Sequence, residues 1–343
     1  MQVWHIFFTA VNAVLPLVLL ILLGYWLRKI QFFTDAFVKV GNKFVFRVCL
    51  SSSLFVNVYN ISSFGSIQWD FILFCVASAF VLFALGLLIG IVTTKENRRK
   101  GVILQCVFRG NFAIIGLPLA GALGGDAATE LASVVSAFML PLWNALGVVA
   151  LSLFSDKPAS VKDNTKRIIR SVCKNPMIIG AALGLVCLLL RELQTVLFGN
   201  VVFSIQRDVK FFYTVANNLK TLSSPLALIV MGAQFEFSAV KGMFKEISVA
   251  VLCRIAFAPL LGIGAAYLLS TYTNLLSCGV NEYPSLIGLL GSPAAVSGAV
   301  MAGEMGNDEQ LATQAVVWSS IGSIFTIFII VCVLMATGLL PVL

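Results

Sequence analysis

The sequence predicts an all-α polytopic membrane protein: ten transmembrane helices as a 5+5 inverted repeat with two proline-broken crossover helices. Three observations predict it. The chain of 343 residues is 59% hydrophobic and 11% charged, with a mean hydropathy of +0.98. A soluble domain carries about 25% charged residues, so there is too little polar surface here to coat a globule in water. Apolar runs of roughly 20 residues recur, long enough to cross a hydrocarbon core of about 30 Å as helix. Lipid offers no partner to free backbone groups, which makes these runs helices; the alternating ten-residue segments of a barrel are not seen. Finally, basic residues crowd into every second connection.

The expected spans are 6–27, 37–59, 70–93, 101–123, 128–154, 177–198, 209–232, 246–270, 284–303 and 311–337. The first lacks the positive n-region of a signal peptide, and its apolar stretch is too long for one. The second, fourth, seventh and ninth are weaker, diluted by Arg47, Arg109, Lys220 and several Gly, Ser and Pro. Arg28, Lys29, Lys39 and Lys43 lie on one side, with Lys95, Arg98, Arg99 and Lys100, then six basic residues between Lys157 and Lys174, then Lys241 and Lys245. The other side holds only Arg207 and Lys210. A sixteen-to-two split puts the basic loops in the cytoplasm and both termini outside it. The net charge of +8 is then a topology signal spread over four loops, not a nucleic-acid surface. Of the eight Cys, six (Cys49, Cys75, Cys106, Cys187, Cys253 and Cys332) sit in apolar runs as small hydrophobes. With one His and no paired Cys spacing, neither a metal nor a cofactor is expected.

Five spans per half is an odd number, so a second half in the same order inserts upside down. Landmarks repeat in order. Pro16 to Gly24 matches Pro176 to Gly184; Leu50 to Leu54 resembles Leu222 to Leu226; Pro118 pairs with Pro293; Gly125-Asp126 pairs with Asn307-Asp308. The units are 1–154, a basic cytoplasmic linker 155–176, and 177–343. Inverted repeats of this kind mark secondary transporters.

The fourth span reads Gly110-Asn111 through Gly116 and Pro118 to Gly121, and the ninth Gly288 through Gly291-Ser292-Pro293 to Ser297-Gly298. Proline removes a donor and glycine loosens the backbone, favouring an unwound stretch in each. Unwound backbone at membrane depth is tolerated where it is buried in protein or lines a polar cavity. Each break exposes a helix N-terminus that attracts an anion, so a carboxylate site needs no basic side chain. Gly116, Pro118, Gly291 and Pro293 shape it; Asn111, Ser292 and Ser297 offer amide and hydroxyl groups. Interhelical hydrogen bonding and small-residue packing explain Asn111 and the serines equally well. Of the intramembrane cations, Arg47, Arg109 and Lys220 are candidates for charge attraction or coupling, with Glu304 as a protonatable partner. Arg109 and Arg254 lie near a span end, where snorkelling competes, while Arg47 and Lys220 lie deeper.

Asn111-x4-Gly116-x-Pro118, followed by Gly125-Asp126, resembles the fourth-span motif of the auxin efflux carrier family, which includes plant PIN-FORMED exporters and bacterial organic-acid permeases. Pro293 through Ala302-Gly303-Glu304-Met305-Gly306-Asn307-Asp308 is similar to its ninth-span motif, and Trp318 through Ser323 to its tenth; Asn144 and Gly147 fit its fifth. The short central loop resembles the bacterial branch. Ser53 stands where the family often has proline, and Ser320 where it has threonine. The resemblance implies a scaffold and a transport domain, spans four and nine crossing at their prolines, carboxylate binding with Asn111 as a contact, and elevator-like movement, often in a homodimer.

The leading expectation is a carrier for small organic anions in the cell membrane, with proton coupling and potential-driven export both open. A sodium-coupled symporter resembling the bile-acid family is the alternative; it needs acidic and amide side chains gathered at the crossover. A non-transporting receptor would not need two matched breaks. An enzyme is not expected, since there is no Walker A lysine and the one His is His5.

Overall fold

The structure, a computed structural model, describes residues 15–16, 19–60, 68–154, 170, 173–233, 240–273 and 275–340. Among these the chain is helical, with one isolated β-bridge and no strand. Helix α1 covers residues 19–29. α2 (Asp35–Phe44) is capped by the Thr34 hydroxyl, which accepts from the Phe37 amide at 3.2 Å. A π-turn, Val45–Cys49, carries α2 into α3 (Leu50–Tyr59) with helical dihedrals at both joins. α4 (Trp69–Thr93) and α5 (Asn97–Phe108) form a hairpin. After a gap, the π-turn Phe112–Gly116 opens α6 (Leu117–Leu153). α7 (Pro176–Phe198), α8 (Lys210–Ala233) and α9 (Val240–Leu252) follow, and the π-turn Cys253–Phe257 leads into α10 (Ala258–Tyr272). α11 (Glu282–Gly291), α12 (Val296–Glu304) and α13 (Glu309–Ala336) complete the chain.

Among the described residues five stretches are long and apolar enough to cross a membrane: Trp69–Thr93, Val134–Leu153, Pro176–Phe198, Lys241–Tyr272 and Glu309–Ala336. Half of span 6–27 and most of the linker 155–176 lie outside the described residues. The other four expected spans fall short for physical reasons. α2–α3 is diluted by Lys39, Lys43 and Arg47, and α8 by Asn217, Asn218 and Lys220. The fourth and ninth are interrupted, and Gly125, at φ 67° and ψ −154°, divides α6 near the expected boundary of spans four and five.

Two of the π-turns precede a proline at the second residue of the next helix, Pro118 in α6 and Pro259 in α10. Proline has no N–H to offer, and the wider turn carries the helix past the missing donor.

Glycines set the closest approaches. A Cβ on Gly24 would lie 1.9 Å from the Ile229 carbonyl oxygen, and one on Gly184 2.6 Å from that of Phe55. α1 therefore lies against the α8 backbone and α7 against that of α3. Gly184→Leu is expected to wedge α7 from α3, costing about 1–3 kcal/mol and lowering the unfolding temperature by several degrees in a fluorimetric melt. An unchanged midpoint would mean the contact has slack.

One end of the bundle holds a network of charged side chains. Arg99 donates to Asp308 at 3.0 Å and Glu246 at 3.1 Å, Arg98 to the Gly306 carbonyl at 2.9 Å, and Asn42 to Glu309 at 2.8 Å. These link α2, α5, α9 and the α12–α13 turn. The other end joins Tyr213 to Asn60 and the Ser277 amide to Asp70. Buried side chains form one cluster tying α3, α7 and α8 to α5, α12 and α13, and a second within α4, α5, α6, α10, α11 and α13.

Candidate binding site

The two interrupted segments meet. Arg109 and Asn111 leave helical dihedrals after α5, and Ser292 and Ala295 are extended between α11 and α12. The Asn111 amide donates to the Pro293 carbonyl at 2.7 Å, and the Ala295 amide to the Arg109 carbonyl at 3.2 Å. Together they form an antiparallel bridge centred on Gly110 and Ala294. Only glycine fits at 110, because a Cβ there would lie 2.6 Å from both Arg254 Nη2 and Ser292 Oγ. The two prolines sit differently with respect to this bridge. Pro293 is at the meeting point, while Pro118 lies about two turns downstream, after a π-turn that keeps its segment helical.

Helix starts at Phe112 and Val296 both border one cavity, of about 580 Å³ with its open mouth included. One wall is Leu50, Ser53, Leu54 and Asn57 of α3, Met177 of α7, and Ser223 and Ala227 of α8. The facing wall is Arg109–Ala113, then Leu140, Trp143 and Asn144 of α6, then Ala295–Ser297. First-turn N–H groups and the positive dipole ends thus converge on the cavity. Arg109, 3% exposed, adds a full charge. Its Nη2 donates to Asn144 Oδ1 at 2.5 Å and to Ser297 Oγ at 2.7 Å. Asn144 is oriented by its own amide group, which donates to the Leu140 carbonyl at 2.6 Å. Among the described residues no carboxylate pairs with Arg109, and no Asp or Glu lines the cavity. Two buried donors, Asn111 Nδ2 and Trp143 Nε1, have no hydrogen-bond partner there. The Trp143 ring meets Phe112 edge-on, with centroids 6.5 Å apart. A cavity rich in donors and positive charge, with an aromatic side, suits an oxygen-rich anion carrying some apolar body.

The expected site residues divide. Asn111, Ser297 and Arg109 line the cavity. Gly116 instead packs on Gly288, where a Cβ would lie 2.5 Å from the Gly288 carbonyl oxygen. Gly291 sits near Ile287, Ile327 and Ile330. Ser292 is fully buried beside Gly110, its carbonyl bound by Arg254. Pro293 contributes its carbonyl to the bridge, and the Pro118 side chain lies outside the described residues. Arg47 is not deep: its side chain is 64% exposed and pairs with Glu304 at 3.8 Å, in a hollow that also holds Lys174. Lys220 is half-buried on α8 and does not line the cavity. Snorkelling is overturned for Arg109 and Arg254, since both are buried and committed to partners inside the fold. Sequence reasoning missed Ser53, Asn57, Trp143 and Ser223, and left Asn144 outside the site. The available signal was their polarity within otherwise apolar helices.

No curated protein matches the chain. The family model described as membrane transport protein matches residues 9–331, nearly the whole chain, and with the long apolar helices it makes this a multi-pass membrane protein. The chain belongs to the membrane transport protein family, which includes the auxin efflux carrier and PIN-like proteins.

Proposed function

We propose that this transporter is a secondary active carrier of small organic anions, mono- or dicarboxylates, bound where the two interrupted segments meet. The observation that carries the reading is the convergence on one cavity of two helix N-termini, the Arg109 guanidinium and the unpartnered donors of Asn111 and Trp143. Each of these groups favours negative charge or an acceptor oxygen. The sodium-coupled alternative needs acidic and amide ligands at this place; the described lining supplies the amides of Asn57, Asn111 and Asn144 but no Asp or Glu.

The cavity walls suggest how it works. α1, α2–α3, α7 and α8 form a scaffold, and the remaining helices carry the site past it as an elevator. The glycine contacts support the ten-helix inverted repeat: matched residues Gly24 and Gly184 each approach the backbone of the other half's second span, α8 and α3. Basic residues of α2 and α5 and Lys174 border or join the α12–α13 turn at one end among the described residues, which supports both termini lying on the extracytoplasmic side of the cell membrane.

The test is a ligand panel on purified protein. A carboxylate that binds the folded state raises the unfolding temperature in proportion to ln(1 + concentration/Kd). Asn111→Ala is expected to weaken binding about tenfold, the loss of one hydrogen bond to a charged group. The best ligand should then be taken up by proteoliposomes. Equal stabilisation of wild type and mutant would move the site away from Asn111; stabilisation only with sodium would favour the alternative.

A further inference from the structure

Arg254 lies outside the cavity lining, yet it is the most enclosed charge among the described residues, at 0% exposure. It sits in the π-turn between α9 and α10. Its Nε donates to the Ser292 carbonyl at 2.8 Å. Its Nη2 donates to Leu290 and Leu289 at 2.7 and 3.0 Å, and its Nη1 to Val107 at 3.3 Å. These carbonyls belong to the last turn of α11, the residue that follows it, and the last turn of α5. α11 and α5 are the two half-helices that run into the break from the opposite side. The absent Cβ of Gly110 leaves room for the guanidinium. No carboxylate pairs with Arg254 among the described residues.

An unpaired cation at this depth is costly. Here the negative ends of two helices take the place of an acid. Four helix ends meet in one small region, each equivalent to about half a unit charge: two positive at Phe112 and Val296, two negative at α5 and α11. Alone they nearly cancel at the cavity. Adding a full positive charge on the negative pair removes that cancellation.

We propose that Arg254 is a positioning residue for anion binding, which neutralises the C-terminal ends of α5 and α11 so that the N-terminal ends and Arg109 set the potential of the cavity. The inference rests on the anion-carrier reading and adds a residue that touches no substrate. It predicts that Arg254 governs the preference for a charged ligand over an uncharged one of the same shape.

The experiment measures affinity for the best-binding carboxylate and for its primary amide, by thermal-shift titration of the full chain. Arg254→Gln is expected to weaken the carboxylate at least tenfold and the amide less than twofold, and Arg254→Lys to recover most of the loss. Should Arg254→Gln fail to fold, Arg254→His carries the same test as a pH profile. Its carboxylate affinity, relative to wild type, should fall as pH rises and the imidazole loses its charge. Wild-type affinity in a folded Arg254→Gln protein, equal losses for acid and amide, or a flat Arg254→His profile would each overturn the proposal. If wild type binds no carboxylate, the carrier reading falls, and Arg254 is judged without a ligand. Ser297→Cys is then alkylated across a pH series, with labelling at that position read by mass spectrometry. Thiolate formation is favoured by positive surroundings, so adding Arg254→Gln should raise the apparent pKa by about one unit; no change would overturn the role.

Discussion

Arg109→Gln is expected to lower carboxylate affinity about 100-fold and to abolish measurable uptake. Two effects add. The guanidinium is the only full charge on the described lining of the cavity, and a hydrogen bond to a charged group contributes about 1.5–3 kcal/mol. Its loss also unties Asn144 and Ser297, which Arg109 holds at 2.5 and 2.7 Å. A loss of 2.7 kcal/mol corresponds to about 100-fold in Kd. Arg109→Lys keeps the charge without the fork that reaches both partners, so intermediate affinity is expected. The measurement is ligand-induced stabilisation followed by proteoliposome uptake. A folded Arg109→Gln protein that binds carboxylates like wild type would remove Arg109 from the site.

Gly288→Ala and Gly116→Ala are expected to be the most damaging small substitutions near the site. A Cβ on Gly288 would lie 2.4 Å from the Gly116 carbonyl oxygen, and one on Gly116 2.5 Å from that of Gly288. For Gly288 the obstacle is backbone, which cannot swing away; for Gly116 it is the Gly288 backbone together with the Phe112 ring, 2.3 Å from such a Cβ. Over-packing costs 1–3 kcal/mol where neighbours can adjust; here about 3 kcal/mol or more is expected. Each variant should lose about ten degrees of thermal stability or fail to give monodisperse protein. Both should lose ligand binding, because α6 and α11 carry the two broken segments. Gly264→Ala is the control, since a Cβ there meets nothing within 4 Å. A Gly288→Ala protein as stable as the control would show that the two backbones are not in contact.

Much of the helical framework was legible in the sequence because its signals are local and repeated. Twenty-residue apolar runs, and the basic connections that alternate between them, are read without reference to any distant residue. The breaks were legible too, though only to within two turns. Proline marks where a helix lacks a donor. The π-turn at Phe112–Gly116 lets α6 pass Pro118, and the chain opens at Gly110, where the opposing segment demands a residue without a Cβ. That demand comes from Arg254 and Ser292, far away in sequence. The cavity was half legible for the same reason. Asn111 and Ser297 flank the breaks and were found. Asn57, Trp143 and Ser223 arrive from three other helices, and nothing in their neighbours announces it. Arg254 was misjudged because distance from a span end measures how easily an arginine escapes, whereas the carbonyls that hold it depend on two other helices.

The bridge between Gly110 and Ala294 also governs when the site comes into being. The paired residues are about 180 positions apart. At about 5–20 residues per second, a ribosome finishes the first strand of the bridge roughly ten seconds or more before the second has been made. Until α11 and α12 are in the membrane, the Asn111 amide has no Pro293 carbonyl to bind, and the Arg109 carbonyl has no Ala295 amide. For that interval the Gly110–Asn111 stretch lacks the segment it pairs with in the finished fold. A nascent chain stalled before Ala294 would contain most of the helices and most of the cavity lining, but not the second helix start at Val296.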